Sequence, residues 1–515
     1  MKFTTEPSVE TKISRMKARV RWQHPLIAQQ GIDQTRLEIA DGHSQDADFS
    51  FLVIGDSGTG NHRGDDPQRR VAEAMLAHEP DCRFMLHTGD VVYLVGSSEQ
   101  YPDNFIKPYR EWLLGGDDPK AICYDQMTFK KPVLPVLGNH DYYDLPWWVG
   151  IAAGTSRPLR NLLQSRIDLD VGWHGSFQGE TFAKAFLDYL QGVPEGQLKA
   201  HLERHYTAVT DTGRCLCYRP GEFTRLPNRY YTFRYGNIDF FALDSNTFNE
   251  PLPIPNTPEG NQYRQQLRER RQALDTERNE LVMAATGMGP NAESGSDPLP
   301  DIYTELEQLE EQIKDIDKQL STSDTLVDLD QLNWLRDRLI HSWQTPEVQG
   351  RIVFFHHPPY VTEATKWNQG QTLAVRHNLR QVLQSVAKEV GSLSQKRPLV
   401  DLVITGHAHC LEYLRTGATG YSDSHLNWLI CGGSGFSLRR QRPEGPNLPE
   451  GEMAMVARSH LYVGRSGRGS RKKRPYSFLR IDVRSGTPAQ IVLRPFAVEK
   501  VQGQWVSNTL SAIAL

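Results

Sequence analysis

Cysteine is scarce, positive charge is not in excess, and no long apolar run is present. Six cysteines in 515 residues are too few for a disulfide scaffold. Lys and Arg total 58 against 62 Asp and Glu, a net charge of −4, whereas a chain built around nucleic acid favours a basic domain. The longest apolar runs, such as Phe51–Ile54, fall far short of the roughly 20 residues that cross a bilayer. Residues 1–22 hold no apolar stretch of the kind found in a secretory leader. These absences give the expectation of a soluble, cytoplasmic protein with no membrane span and no nucleic-acid partner. The rest of the composition is ordinary for a globular chain, with 38% hydrophobic and 23% charged residues, which excludes wholesale disorder.

Short apolar runs closed by Gly-bearing polar turns recur along the chain. Phe51–Ile54 runs into Gly55-Asp56-Ser57-Gly58, Phe84–His87 into Thr88-Gly89-Asp90, and Pro132–Leu137 into Gly138-Asn139-His140-Asp141. Later, Arg351–Phe355 ends in His356-His357-Pro358, Leu399–Ile404 in Thr405-Gly406-His407-Ala408-His409, and Trp428–Cys431 in Gly432-Gly433-Ser434-Gly435. These read as buried strands ending in tight turns. Helical spacing between them (Val71, Met75 and Leu76; Leu332, Leu335 and Leu339; residues 375–390) gives an α/β core. Residues 229–246 read as a hairpin of strands.

The domain reading takes 1–48 as an amino-terminal extension, 49–500 as one body and 501–515 as a tail. Two insertions interrupt the body. Residues 142–228 are mixed and partly helical. Residues 258–325 carry Leu267, Leu274 and Leu281 seven apart, then Leu306, Leu309, Ile313, Ile316 and Leu320 at alternating spacings of three and four. That is coiled-coil-like heptad spacing on two arms. It predicts a projecting helical hairpin whose seam could join two copies, or two amphipathic helices packed on the body.

In an open α/β sheet, ligands sit beyond the carboxyl ends of the strands. The polar residues there are Asp56, Asp90 with Tyr93, Asn139 with His140 and Asp141, His356 with His357, and His407 with His409. Each alone is more often a turn or cap residue. Together, carboxylates, an amide oxygen and imidazoles form the ligand set of borderline and hard cations. No thiolate cluster is present, which argues against structural zinc. In extended backbone His407 and His409 share a side. Two metals roughly 3.5–4 Å apart make a clamp for in-line displacement at phosphorus.

In this order the motifs resemble those of the calcineurin-like metallophosphoesterases, over most of residues 50–435 outside the insertions. The first motif lacks the family's usual histidine, reading Asp56-Ser57-Gly58, and the second offers Tyr93. That exchange, with His356-x-Pro358-x-Tyr360, resembles the purple acid phosphatase branch. The resemblance implies a four-layer α/β/β/α sandwich of two mixed sheets. It implies a first metal on Asp56, Tyr93 and His409, a second on Asn139, His356 and His407, and Asp90 bridging both. Fe(III) with a divalent ion (Fe, Zn or Mn) is the favoured pair, because a trivalent ion helps deprotonate a phenol of ordinary pKa about 10. A metal-bound hydroxide would attack a phosphate monoester of a small molecule, His140 would serve the leaving group, and Asp141 would orient His140. The alternatives are a phosphodiesterase or nuclease on the same metals, and a non-catalytic scaffold working through the hairpin.

Candidate substrate contacts are His357, Lys366 and Asn246. His357 reads equally as a support for its neighbours or as packing. Lys366 stands where that branch usually places extra histidines. Arg439 and Arg440 read either as phosphate holders or as surface residues. The basic tract Arg465–Arg474 reads as a surface loop that could meet a polyanion. Cys215 and Cys217 are too isolated for a metal reading, and His201 and His205 read as a solvated helix face.

Overall fold

The computed structural model describes residues 4–59, 65–145, 175–287, 299–435, 437–451, 453–467 and 471–515. The strands, in chain order, are β1 (Ile32–Ile39), β2 (Phe49–Ile54), β3 (Met85–His87), β4 (Val133–Pro135), β5 (Ala208–Thr210), β6 (Gly213–Tyr218), β7 (Tyr231–Tyr235), β8 (Ile238–Ala242) and β9 (Gly350–Phe354). They continue as β10 (Leu402–Thr405), β11 (Leu411–Thr416), β12 (Asn427–Cys431), β13 (Asn447–Glu450), β14 (Met453–Val463), β15 (Tyr476–Arg484), β16 (Gln490–Val501), β17 (Gln504–Thr509) and β18 (Ile513–Ala514).

Among the described residues they form two mixed sheets. The larger runs β13-β14-β11-β12-β10-β9-β8-β7-β1-β6-β5; the smaller runs β17-β16-β15-β2-β3-β4, with β18 on β16. The expected mixed α/β class is therefore met. Within residues 1–48, β1 lies inside the large sheet, parallel to β6 and β7. Within the expected tail, β17 and β18 pair antiparallel with β16.

The strand pleat sorts side chains to two cores. In β9, Ile352 and Phe354 face one core while Val353 faces the other; in β10, Leu402 and Ile404 oppose Val403. The first core lies between the sheets, where Phe51 of β2 meets Phe240 of β8 at 5.6 Å and Phe84 meets Phe233 edge-on at 5.8 Å. The second core lies on the opposite face of the large sheet. There Leu332, Leu335 and Leu339 of helix Leu329–Gln344 and Val375, Leu379 and Val386 of helix Gly370–Val390 pack on Val353, Val403 and Trp428. Burial on both faces explains why these strands read as continuous apolar runs.

Helix starts follow local chemistry. Asp66 accepts from the Arg69 amide ahead of Pro67, and Asp328 accepts from the Gln331 amide. The hairpin arms are Pro258–Gly287 and Leu299–Ser321. Their heptad residues Leu267, Leu274, Leu309, Ile313 and Ile316 are buried against one another. The seam is thus closed within the chain. No described helix is long and apolar enough to cross a membrane. Trp147 and Trp148 of the first insertion, and the break within 288–298, lie outside the described residues.

Candidate metal centre

Parallel strands β2, β3 and β4 of one sheet, and β8, β9, β10 and β12 of the other, bring their carboxyl ends to one rim. The turns that follow carry the predicted residues, and the backbone there is tightly bent. Asp56, Asp90, His407 and His409 have φ of 52°, 55°, 69° and 44°, a left-handed conformation costing about 1–3 kcal/mol at each non-glycine residue. Glycines permit the close approach. A Cβ on Gly138 would lie 2.0 Å from Asp90 Oδ1, and Gly89 has φ +97°.

Tyr93 Oη stands 2.9 Å from Asp90 Oδ2, 3.0 Å from Asp56 Oδ1 and 3.3 Å from His409 Nε2. A single hydroxyl hydrogen cannot serve both carboxylates. The Ser437 carbonyl only accepts, so His409 Nδ1 donates to it at 2.9 Å and turns Nε2 toward the tyrosine. Likewise His356 Nδ1 donates to the Thr88 carbonyl at 2.8 Å. Its Nε2 faces Asn139 Oδ1 at 3.0 Å, His407 Nδ1 at 3.2 Å and Asp90 Oδ2 at 3.3 Å. Lone pairs therefore converge on a shared point, which a proton or a cation must fill.

The electrostatics agree. Burial and the neighbouring Asp90 carboxylate push Asp56 up to about 8. Burial alone would lower His356, but Asp90 raises it to about 9, so a proton takes that place at neutral pH. Burial, Asp56 and Asp90 hold the Tyr93 phenol well above its ordinary value. Burial keeps His407 and His409 neutral, the form that offers a lone pair. Asp56, Asp90 and His356 each bring a ligand atom within 4.8 Å of the others, and so do His356, His357 and His407. This donor chemistry fits metal cations.

The remaining predicted residues divide. His140 lies at the rim, its ring 4.4 Å from that of Tyr93. Asp141 does not orient it. Its carboxylate instead accepts from the amides of Asp90 (3.0 Å), Val91 (3.1 Å) and Gly138 (2.8 Å), tying two turns together. The Leu94 carbonyl holds His140 Nδ1 at 2.6 Å. His357 has both ring nitrogens engaged, by Ser245 Oγ at 2.8 Å and Asn249 Nδ2 at 3.2 Å. Asn246 ties the third turn from beneath, donating to the Leu137 carbonyl at 3.0 Å and to Asp244 at 2.9 Å. Lys366 does reach the centre, with Nζ 3.1 Å from His407 Nε2.

Several residues here escaped the sequence reading. His87 underlies the first turn, between Ser57 Oγ at 2.9 Å and the Gly89 amide at 3.2 Å, and burial lowers it to about 3. The second hairpin arm lies over the rim. Its Glu311 meets Lys366 at 3.0 Å, and its Glu307 meets Arg439 at 3.2 Å. Arg439 is fully buried rather than a surface residue. Burial pushes Glu307 up to about 7, whereas Lys366 and Arg439 overcome burial and hold Glu311 at about 2. Heptad spacing located the arm but carried no signal of what it covers. Away from the rim, His201 pairs with Asp188 at 2.9 Å, and His205 stacks on Phe223 at 3.7 Å. In the basic tract, Ser466 and Lys473 form an isolated antiparallel bridge, and Arg468 lies outside the described residues.

No family model matches the chain, and no curated protein does. Among solved structures it is similar to "GAP50 the anchor in the inner membrane complex of Plasmodium", at 12% identity over 90% of this chain and 89% of that one, with a TM-score of 0.35. It is also similar to PhoD, at 10% identity over 91% of this chain and 69% of that one, with a TM-score of 0.40. Neither likeness is close enough to assign a family or an activity.

Proposed function

We propose that the chain is a metallophosphoesterase that hydrolyses phosphate monoesters at a binuclear centre. The reading takes the core as a calcineurin-like four-layer sandwich bearing two inserted segments. One observation carries it: Asp90 Oδ2 lies 2.9 Å from Tyr93 Oη and 3.3 Å from His356 Nε2, so one carboxylate touches both donor groups. On one side Asp56, Tyr93 and His409 would hold a ferric ion, on the other Asn139, His356 and His407 a divalent ion. Bound there, the pair would supply charge against the phosphoryl oxygens and a hydroxide nucleophile at neutral pH.

The chain's own residues do the rest. Thr88 and Ser437 carbonyls fix which nitrogen of His356 and His409 faces inward. The Leu94 carbonyl accepts from His140 Nδ1–H, so Nε2 of the neutral ring offers a lone pair and would pass a proton to the departing alkoxide only from the doubly protonated ring. Asp141 holds the second and third turns in register by three amide hydrogen bonds.

The test compares turnover of an aryl phosphate monoester with that of its bis-aryl diester, using metal-reconstituted protein. Faster monoester hydrolysis, lost by about 100-fold or more in Asp90→Asn, is the expected result. Faster diester turnover would move the assignment to a phosphodiesterase. Equal turnover in wild type and Asp90→Asn would reject the site.

A further inference from the structure

We propose that Lys366 and Arg439 form an anion seat beside the metal centre, built to take a tetrahedral phosphate, and that Glu311 of the hairpin holds this seat until phosphate displaces it. The inference rests on the phosphoesterase reading and names the part of the site that receives the phosphoryl oxygens. Both side chains are withdrawn from water, Lys366 at 1% and Arg439 at 0% exposure. Buried cations require fixed anionic partners. Here the partners come from an inserted segment rather than from the sheets. Glu311 Oε2 lies 3.0 Å from Lys366 Nζ, and Glu311 Oε1 lies 3.5 Å from Arg439 Nη2. Glu307 Oε2 completes the set, 3.2 Å from Arg439 Nη2.

The cations are placed by the same turn that carries two candidate ligands. Lys366 Nζ is 3.1 Å from His407 Nε2, and the Arg439 amide donates to the His409 carbonyl at 3.1 Å. Glu311 is therefore a carboxylate held at the front of the centre by two cations. Carboxylate and phosphate offer oxygens to Lys and Arg in the same way, and the arginine fork suits phosphate especially well. Exchanging Glu311 for phosphate keeps both buried cations paired, so entry of the anion leaves no charge stranded. At 24% exposure, against 1% and 0% for the two cations, Glu311 has room to leave, and it is the carboxylate that touches both of them.

The experiment titrates metal-loaded, full-length protein with inorganic phosphate by calorimetry, and counts bound metal in every sample. Glu311→Gln removes the competing charge and is expected to tighten phosphate at least about tenfold. Lys366→Gln is expected to weaken it at least about tenfold. A gain of affinity cannot come from misfolding, so the Glu311→Gln result decides even if Lys366→Gln fails to fold. Phosphate affinity unchanged or weakened in Glu311→Gln, at wild-type metal content, overturns the seat while leaving the phosphoesterase reading intact. Wild-type protein that retains no metal and binds no phosphate overturns both.

Discussion

Tyr93 is the residue on which the metal assignment turns. Without a cation its phenol is pressed between two carboxylates and held protonated. A ferric ion would reverse that balance. Ferric-loaded wild type is therefore expected to show a visible tyrosinate charge-transfer band, and Tyr93→Phe to lack it at equal iron content. A colourless ferric wild type, or a band that survives the substitution, would remove Tyr93 from the ligand set. A second residue tests the core independently of metal. Burial raises Glu412 to about 7, with Thr362 Oγ1 and the Thr362 amide donating to its carboxylate. The folded state thus keeps a proton that the unfolded chain has lost. Its stabilising share is full below the unfolded value of 4.5 and is lost as pH rises to about 7, at about 1.4 kcal/mol per pH unit. Denaturation between those limits should show wild-type stability falling relative to Glu412→Gln, which has no proton to lose; parallel profiles would refute the assignment.

At the scale of elements, legibility followed burial. Strands covered on both faces, such as β9 and β10, left apolar runs closed by polar turns, and those turns carry the candidate ligands. β1 escaped because its middle is polar. Gln34, Thr35 and Arg36 are buried, and Gln34 satisfies itself by donating to the Val20 carbonyl at 2.8 Å. A strand whose polar groups find partners inside the protein leaves no hydrophobic signature. Heptads found both hairpin arms, but the pairing of Glu311 with Lys366 spans a sequence separation of 55 residues and has no local signal. Glu6 adds to this clamp, lying 3.5 Å from both Lys314 and Lys318 of the second arm and 2.7 Å from Lys12. Ile313→Ala should cost about 2–5 kcal/mol within the hairpin seam. Hydrogen exchange should then show the two arms, Pro258–Gly287 and Leu299–Ser321, opening well before the sheets; uniform protection of arms and sheets would contradict a separately stabilised hairpin.

Taken whole, the molecule converges two sheets on one rim and spends backbone strain there, at Asp56, Asp90, His407 and His409. That convergence was readable because every turn bore its own polar residues. The cover over the rim was not, since inserted segments fold back on a surface that no single turn specifies. The account's central claim is a centre of two cations sharing Asp90. Elemental analysis of metal-reconstituted, chelator-washed protein tests it most directly. Two ions per chain in wild type, falling to one or none in Asp90→Asn, is the predicted result. A wild type that holds one ion or none, with every candidate ligand intact, would contradict it.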